Sequence, residues 1–140
     1  MSCSNIIDCL RAIGINPTAT ATSSVNPCGP EYTINYTDHS NFRSGINGAQ
    51  YIIIDFKSVV SIHSYQFHSY SDCVTGNWIS EWNISTSFDN TSWVIVDSPP
   101  IQCAMDKTFN LSQTVSARFV KIDGRSPLYG SNVLRFSLYY

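Results

Sequence analysis

Three histidines, five cysteines and ten acidic residues are the groups in this chain equipped to bind a metal or attack a substrate. Their spacing argues against both. His63 and His68 are five residues apart. On one regular strand they face opposite ways and cannot share a metal. His39 stands apart from either. Cys28, Cys73 and Cys103 lack the close pairing of a zinc site and read as small buried hydrophobes. Gly124-Arg-Ser126-Pro127 begins like a nucleophile elbow but has no second glycine. Phosphate-cradling and dinucleotide glycine runs are missing too. The chain is therefore expected to be no enzyme and to carry no catalytic residue and no metal site.

Binding is the chemistry that remains, and charge narrows the partner. The net charge is −2, without a basic run. Nucleic acid is an unsuitable ligand on that balance, and so is anionic lipid held by charge alone. The strongest apolar run, Tyr51-Ile52-Ile53-Ile54, is far short of the ~20 residues of a membrane span. At the N-terminus Asp8 and Arg11 interrupt the apolar residues, unlike a signal peptide. Cys3, Cys9, Cys28, Cys73 and Cys103 make an odd set. With no signal peptide read, they are expected reduced, in an intracellular, cytoplasmic protein. Four N-x-S/T triplets, at Asn35, Asn83, Asn90 and Asn110, stand against this. A chain so rich in Asn, Ser and Thr produces such triplets by chance.

The elements that must position any site are mostly strands. Residues 4–13 suit one short helix, with Ile6, Ile7, Leu10 and Ile13 at helical spacing, Ser4 placed to cap it, and Gly14 and Pro17 to end it. It either folds onto its own core or docks a partner, and the first is favoured. Strands are expected at 18–24, 51–56, 62–70, 82–86, 93–96, 109–111, 117–122 and 134–138. Turn signals at Asn26-Pro27, Asn47-Gly48, Asp89-Asn90, Pro99-Pro100 and Asp123-Gly124 separate them. Short strands without intervening helices predict an all-β antiparallel sandwich of about eight strands with a short N-terminal helix. Residues 1–16 form the helical extension and 17–140 the sandwich. Asn90 suits the positive φ of a hairpin turn, and Trp93 has the bulk to plug the core. Asp55 can reach a basic partner such as Arg118, and the pair reads as structural rather than chemical.

Five segments, in order, resemble the discoidin, or coagulation factor 5/8 type C, family. They are Thr18-Ala-Thr-Ala-Thr-Ser-Ser24, then Phe42-x-Ser44 followed by Tyr51-Ile-Ile-Ile-Asp55-Phe56, Trp82-Asn-Ile-Ser-Thr-Ser87-Phe88-Asp89-Asn90-Thr-Ser-Trp93, Ala117-Arg-Phe-Val-Lys-Ile122 and Leu134-Arg-Phe-Ser-Leu138. The resemblance covers residues 18–140 and implies a galactose-binding-like jelly roll. Secreted members join their ends by a disulfide; here no cysteine follows Cys103. Many members hold calcium with an acidic loop and a Glu in the last strand. Here the loop offers Asp38 alone and Ser137 stands in place of the Glu. Calcium wants six to eight oxygens, carboxylates among them, so no cofactor is expected.

In the resembled family, three loops at one end of the sandwich carry recognition. They correspond here to residues 25–31, 41–50 and 70–79. The resemblance thus implies a site of Asn41, Arg43, Asn47, Asp72, Asn77 and Trp78. A sugar ring can stack on Trp and bond its hydroxyls to the Arg and Asp. The same residues suit a protein hot spot, and Trp78 can equally pack under its own loop. The favoured expectation is a protein-interaction module, a scaffold subunit of an intracellular assembly, ciliary or cytoskeletal by analogy of fold. The alternative is a lectin-like module for a galactose-type glycan.

Overall fold

The computed structural model describes residues 4–21, 30–34, 42–43, 51–68, 81–100, 107–124, 132–133 and 135–140. Helix α1 spans Ile6–Ala12. Asn5, rather than Ser4, caps it: its side-chain oxygen accepts from the amides of Ile7 at 3.0 Å and Asp8 at 3.3 Å. Asp8 in the first turn and Arg11 in the last complement the helix dipole. Gly14, at φ 85°, ends the helix. Its amide donates to Arg11 O and that of Ile15 to Leu10 O, a left-handed cap that satisfies the last carbonyls. That turn throws Ile13 out to solvent at 73% exposure, away from the apolar face where its spacing put it. Ile6, Ile7 and Leu10 enter the same core as the strands. Asn5 bridges Tyr139, and the Tyr140 amide donates to Ser4 O. The helix covers its own domain.

Eight strands follow among the described residues: β1 (Thr18–Ala21), β2 (Phe42–Arg43), β3 (Tyr51–His68), β4 (Trp82–Ser87), β5 (Val94–Asp97), β6 (Thr108–Gly124), β7 (Asn132–Val133) and β8 (Arg135–Tyr139). All pairings are antiparallel, in the order β1-β3-β6-β4-β5, with β8 also on β3 and β2 paired separately with β7. Two pairs of strands read separately in the sequence are single. Residues 51–56 and 62–68 run on as β3, and 109–111 and 117–122 as β6. A bulge, not a turn, lies between the halves of β3. The register shifts between Asp55 and Val60, and Lys57 takes φ 62°. A non-glycine residue there costs roughly 1–2 kcal/mol. The Asp55 carboxylate offsets it by accepting from the Lys57 amide at 2.8 Å.

The bend turns one long ribbon into two layers. The first half of β3, with β1, β6, β4 and β5, makes one; the second half, with β6 and β8, makes the other. Their inner faces meet in one hydrophobic cluster that includes Ile52, Ile54, Phe56, Tyr65, Phe67, Trp82, Val120, Phe136 and Leu138. This is an antiparallel β-sandwich with one short helix.

Trp82, at 0% exposure, is the plug of the core, and the expectation for Trp93 is corrected. Its ring packs edge-on against Phe67 and Phe109, 5.2 and 5.1 Å away. Trp93 is only half-buried. Ser85 pairs with Ile95 and Thr86 with Val94, so Trp93 falls opposite Ser87, on the outer side of the sheet. The turn before it is as expected. Asn90 takes φ 63°. Ser87 Oγ accepts from the Asp89 and Asn90 amides, and Asp89 Oδ1 from those of Thr91 and Ser92. A second correction concerns sulfur. Five free thiols were expected, but Cys9 is disulfide-bonded. Its partner, and the readings of Cys28, Cys73 and Cys103 as buried hydrophobes, lie outside the described residues.

Candidate functional site

Strand register gathers the approaches to several loops at one rim. Ala21, the end of β1, lies opposite Ile52, and Tyr51, the start of β3, lies opposite Asp123. Trp82, the start of β4, lies opposite Gly124, the end of β6. The chain therefore leaves for 22–29, returns from 44–50, leaves for 125–131 and returns before Glu81, all at one edge of the sandwich. His68, where residues 69–80 begin, comes to the same edge, because its neighbour Phe67 packs on Trp82.

Of the six site residues read from the sequence, Asn41, Asn47, Asp72, Asn77 and Trp78 lie outside the described residues. Arg43 was expected in a loop. Its backbone instead forms the short strand β2, opposite Asn132 of β7. The first expected loop ends in a 3₁₀ turn, Pro30–Thr33, that leads to buried Thr33 and Ile34. What the reading missed is the fourth segment, 125–131, which starts from the same rim. Gly124 and Pro127 were its signals, but Asp123-Gly124 reads as a tight turn. In fact Asp123 still pairs with both Tyr51 and Asn83.

Beneath this rim the two layers are tied by a polar chain. Trp82 Nε1 donates to the Tyr65 hydroxyl at 2.9 Å, and that hydroxyl donates to Asp97 Oδ2 at 2.5 Å. Burial, then the Asp97 bond, pushes the Tyr65 phenol far above its ordinary range, so it stays protonated and keeps donating. Tyr65 also stacks on Phe109 at 5.2 Å. This is a rigid floor rather than reactive machinery. Trp82 opens β4, directly after Glu81, so the floor reaches the rim.

The Asp55–Arg118 pair lies at the bend, away from the rim. Arg118 Nε and Nη2 donate to the two carboxylate oxygens at 3.0 and 3.2 Å, and Lys57 Nζ approaches to 3.2 Å. Burial opposes ionisation of Asp55. The bonds from Arg118 and Lys57 outweigh it and hold the carboxyl below its ordinary value. The pair is structural, as its position at the bulge requires. Among the described residues no three His, Cys, Asp or Glu side chains converge. A cleft of about 200 Å³, lined by Phe88, Asp89 and Val94 among others, lies at the far end of β4 from the rim.

The model of the F5/8 type C domain matches residues 18–138. The chain belongs to that family. The F5/8 type C match spans every strand but the end of β8 and leaves out helix α1. Solved structures agree on the fold. The family 32 CBM from Clostridium perfringens NanJ, in complex with galactose, superposes with a TM-score of 0.79 at 14% identity, over 98% of each chain. A chitosan-binding module of a Paenibacillus chitosanase/glucanase gives 0.77 at 18%, over 97% of this chain and 98% of its own. A further C. perfringens CBM32, in complex with GalNAc-β-1,3-galactose, gives 0.76 at 16%, over 89% of this chain and 95% of its own. At such identities the likeness speaks for the fold. No curated protein matches the chain. In this F5/8 type C domain Ser137, in place of the family's calcium-binding Glu, is buried in β8 opposite Gln66.

Proposed function

We propose that this F5/8 type C domain is a lectin-like, non-catalytic module that binds a galactose-type glycan at the rim of strand ends. The observation behind the reading is the shared edge reached by Ala21, Tyr51, Trp82 and Gly124. Segments far apart in sequence start from it, and between them they hold Asn47, Asp72, Asn77 and Trp78. On this reading the sugar ring stacks on Trp78, Arg43 and Asp72 bond its hydroxyls, and the three asparagines complete the polar wall. Two of the sandwiches it superposes on were solved with galactose or GalNAc-β-1,3-galactose, one is a chitosan-binding module and another was solved with 4,5-unsaturated mannuronic acid. That favours the glycan over the intracellular scaffold. A disulfide at Cys9 also suits an oxidising compartment, where glycans are met.

A glycan array followed by titration calorimetry tests this. Selective hits among terminal galactosides are expected, abolished by Arg43→Ala with Trp78→Ala while the melting temperature holds. An array without a selective hit, or hits that survive the double change, would remove the assignment.

A further inference from the structure

The four N-x-S/T triplets are not equivalent in the folded chain. Asn35 lies outside the described residues. Asn83 is inside β4, half-buried and paired with Asp123, and its side-chain oxygen accepts from Ser98 Oγ at 2.6 Å. The hydroxyl of its triplet belongs to Ser85, which is 4% exposed. Asn110 is exposed but lies inside β6, opposite Ser64 of β3. Asn90 stands apart from these. It sits at the tip of the hairpin between β4 and β5, at φ 63°, and Asn90, Thr91 and Ser92 are all exposed. An acceptor for an N-linked glycan is a triplet of this kind on a surface loop. The turn itself does not draw on the Asn90 side chain. Its amides are held by Ser87 Oγ and Asp89 Oδ1 instead.

Beside the turn the surface is apolar. Phe88, two residues before Asn90, is 62% exposed, and Val94 is 65% exposed. They line the cleft of about 200 Å³ together with Thr86, Ser87, Asp89 and Ser92. Asp89 and Ser92 flank Asn90 and Thr91 in the chain, so the cleft opens beside the acceptor. It has room for a single sugar ring. A pyranose lays its C–H face on the negative face of an aromatic ring, and Phe88 presents such a ring.

We propose that Asn90 is an N-glycosylation site and that the first N-acetylglucosamine of its glycan packs on Phe88 in this cleft. In the transfer, Asn90 Nδ2 attacks C1 of an oligosaccharide carried on a lipid pyrophosphate. The N–C1 bond forms, the C1–O bond to the pyrophosphate breaks, Nδ2 loses one proton and the lipid pyrophosphate leaves. The reaction belongs to the lumen of the secretory compartments, the oxidising space in which a disulfide at Cys9 persists. Once attached, the ring shields Phe88. The rest of the glycan projects from the end of β4 far from the rim, where it does not obstruct a ligand. The proposal rests on that compartment and not on what the rim binds.

The protein from its own cells, and the full chain secreted from cells limited to high-mannose glycans, are treated with peptide N-glycosidase in heavy-oxygen water and mapped by mass spectrometry. Conversion of Asn90 to labelled Asp is expected in both. Ser92→Ala should abolish it without disturbing the turn, because Asp89 holds the Ser92 backbone amide and not its hydroxyl. Ser92→Thr should retain it. The unfolding midpoint separates packing from mere attachment. Trimming the glycan to its first sugar with endoglycosidase H should leave the midpoint unchanged, whereas Ser92→Ala, which carries no sugar, should melt a few degrees lower. In a Phe88→Ala background the glycosylated and Ser92→Ala forms should melt together. An unlabelled Asn90 in protein from its own cells overturns the proposal, and so does label confined to Asn83 or Asn110. Equal midpoints with and without the sugar in the wild-type background overturn the packing on Phe88. Rim titrations of the Ser92→Ala chain should match those of wild type, so a failure of the galactoside reading leaves this outcome untouched.

Discussion

Truncating Trp82 should be the most damaging single change to an aromatic residue in this domain, and the structure gives its size. Trp82 is fully buried, meets Phe67 and Phe109 edge-on, and donates its indole N–H to Tyr65. A buried tryptophan cut to alanine costs about 3–5 kcal/mol through lost transfer energy and the cavity left behind. Two aromatic pairs and the lost hydrogen bond place Trp82→Ala at the top of that range. For a domain of this size each kcal/mol moves the midpoint by about 3–5 °C, so the melting temperature should fall by roughly 15 °C or more. Trp93→Ala removes a half-buried ring and its contact with Lys121, which is worth about 0.5–1 kcal/mol, and should cost under about 1.5 kcal/mol. Trp82→Phe separates packing from polarity. It keeps most of the ring but removes the donor, and should fall between the two. Urea unfolding followed by far-ultraviolet circular dichroism reads all three. If Trp93→Ala proves as costly as Trp82→Ala, the assignment of inner and outer faces of β4 and β5 is wrong.

Acid should loosen the bend. The folded Asp55 carboxyl titrates below its ordinary value, so its contribution is complete above about pH 4 and is lost as pH falls through the folded pKa; unfolding followed from pH 6 to 2 should lose part of its acid sensitivity in Asp55→Asn, and an unchanged profile refutes the role. Asn90→Gly should change stability by under about 0.5 kcal/mol, whereas Asn90→Val, forced to the same positive φ, should cost about 1–2 kcal/mol in urea unfolding; equal effects would mean the turn relaxes. Thiol titration of the denatured, unreduced protein should find at most three of the five cysteines free. Five reacting thiols would remove the Cys9 bond.

How far the sequence discloses this fold depends on the range of the interaction that decides each feature. The alternation of Leu134-Arg-Phe-Ser-Leu138 and of Trp82-Asn-Ile-Ser-Thr86 is local, and both became strands at nearly those bounds. The Asp89-Asn90 turn is local as well, closed by side chains within three residues of one another. The bulge at Lys57 is not. Nothing in Lys57-Ser58 marks a positive φ, and what holds it is the Asp55 carboxylate, itself fixed by Arg118 from 63 residues away. The ribbon therefore looks like two strands with a gap. The two tryptophans fail for the same reason. Trp82 and Trp93 both border apolar strand segments, and only the register of β4 against β5 and β6 decides which one faces the second layer.

The same reasoning bears on the site. The family pattern concentrates in strands, where core packing demands it, so the F5/8 type C fold is legible from Asp55, Arg118 and the Trp82–Trp93 segment. The proposed site draws on Arg43, Asp72 and Trp78, and none of these is called for by the sandwich floor. The floor is complete without them: Trp82, Tyr65 and Asp97 satisfy one another, and Phe67, Phe109 and Phe136 fill the space around them. A scaffold that closes its own polar groups beneath the loops leaves the loop residues free to vary without loss of the fold. Specificity in such a domain is therefore written where strand periodicity is silent, and it is read by the ligand a variant loses rather than by the stability it keeps.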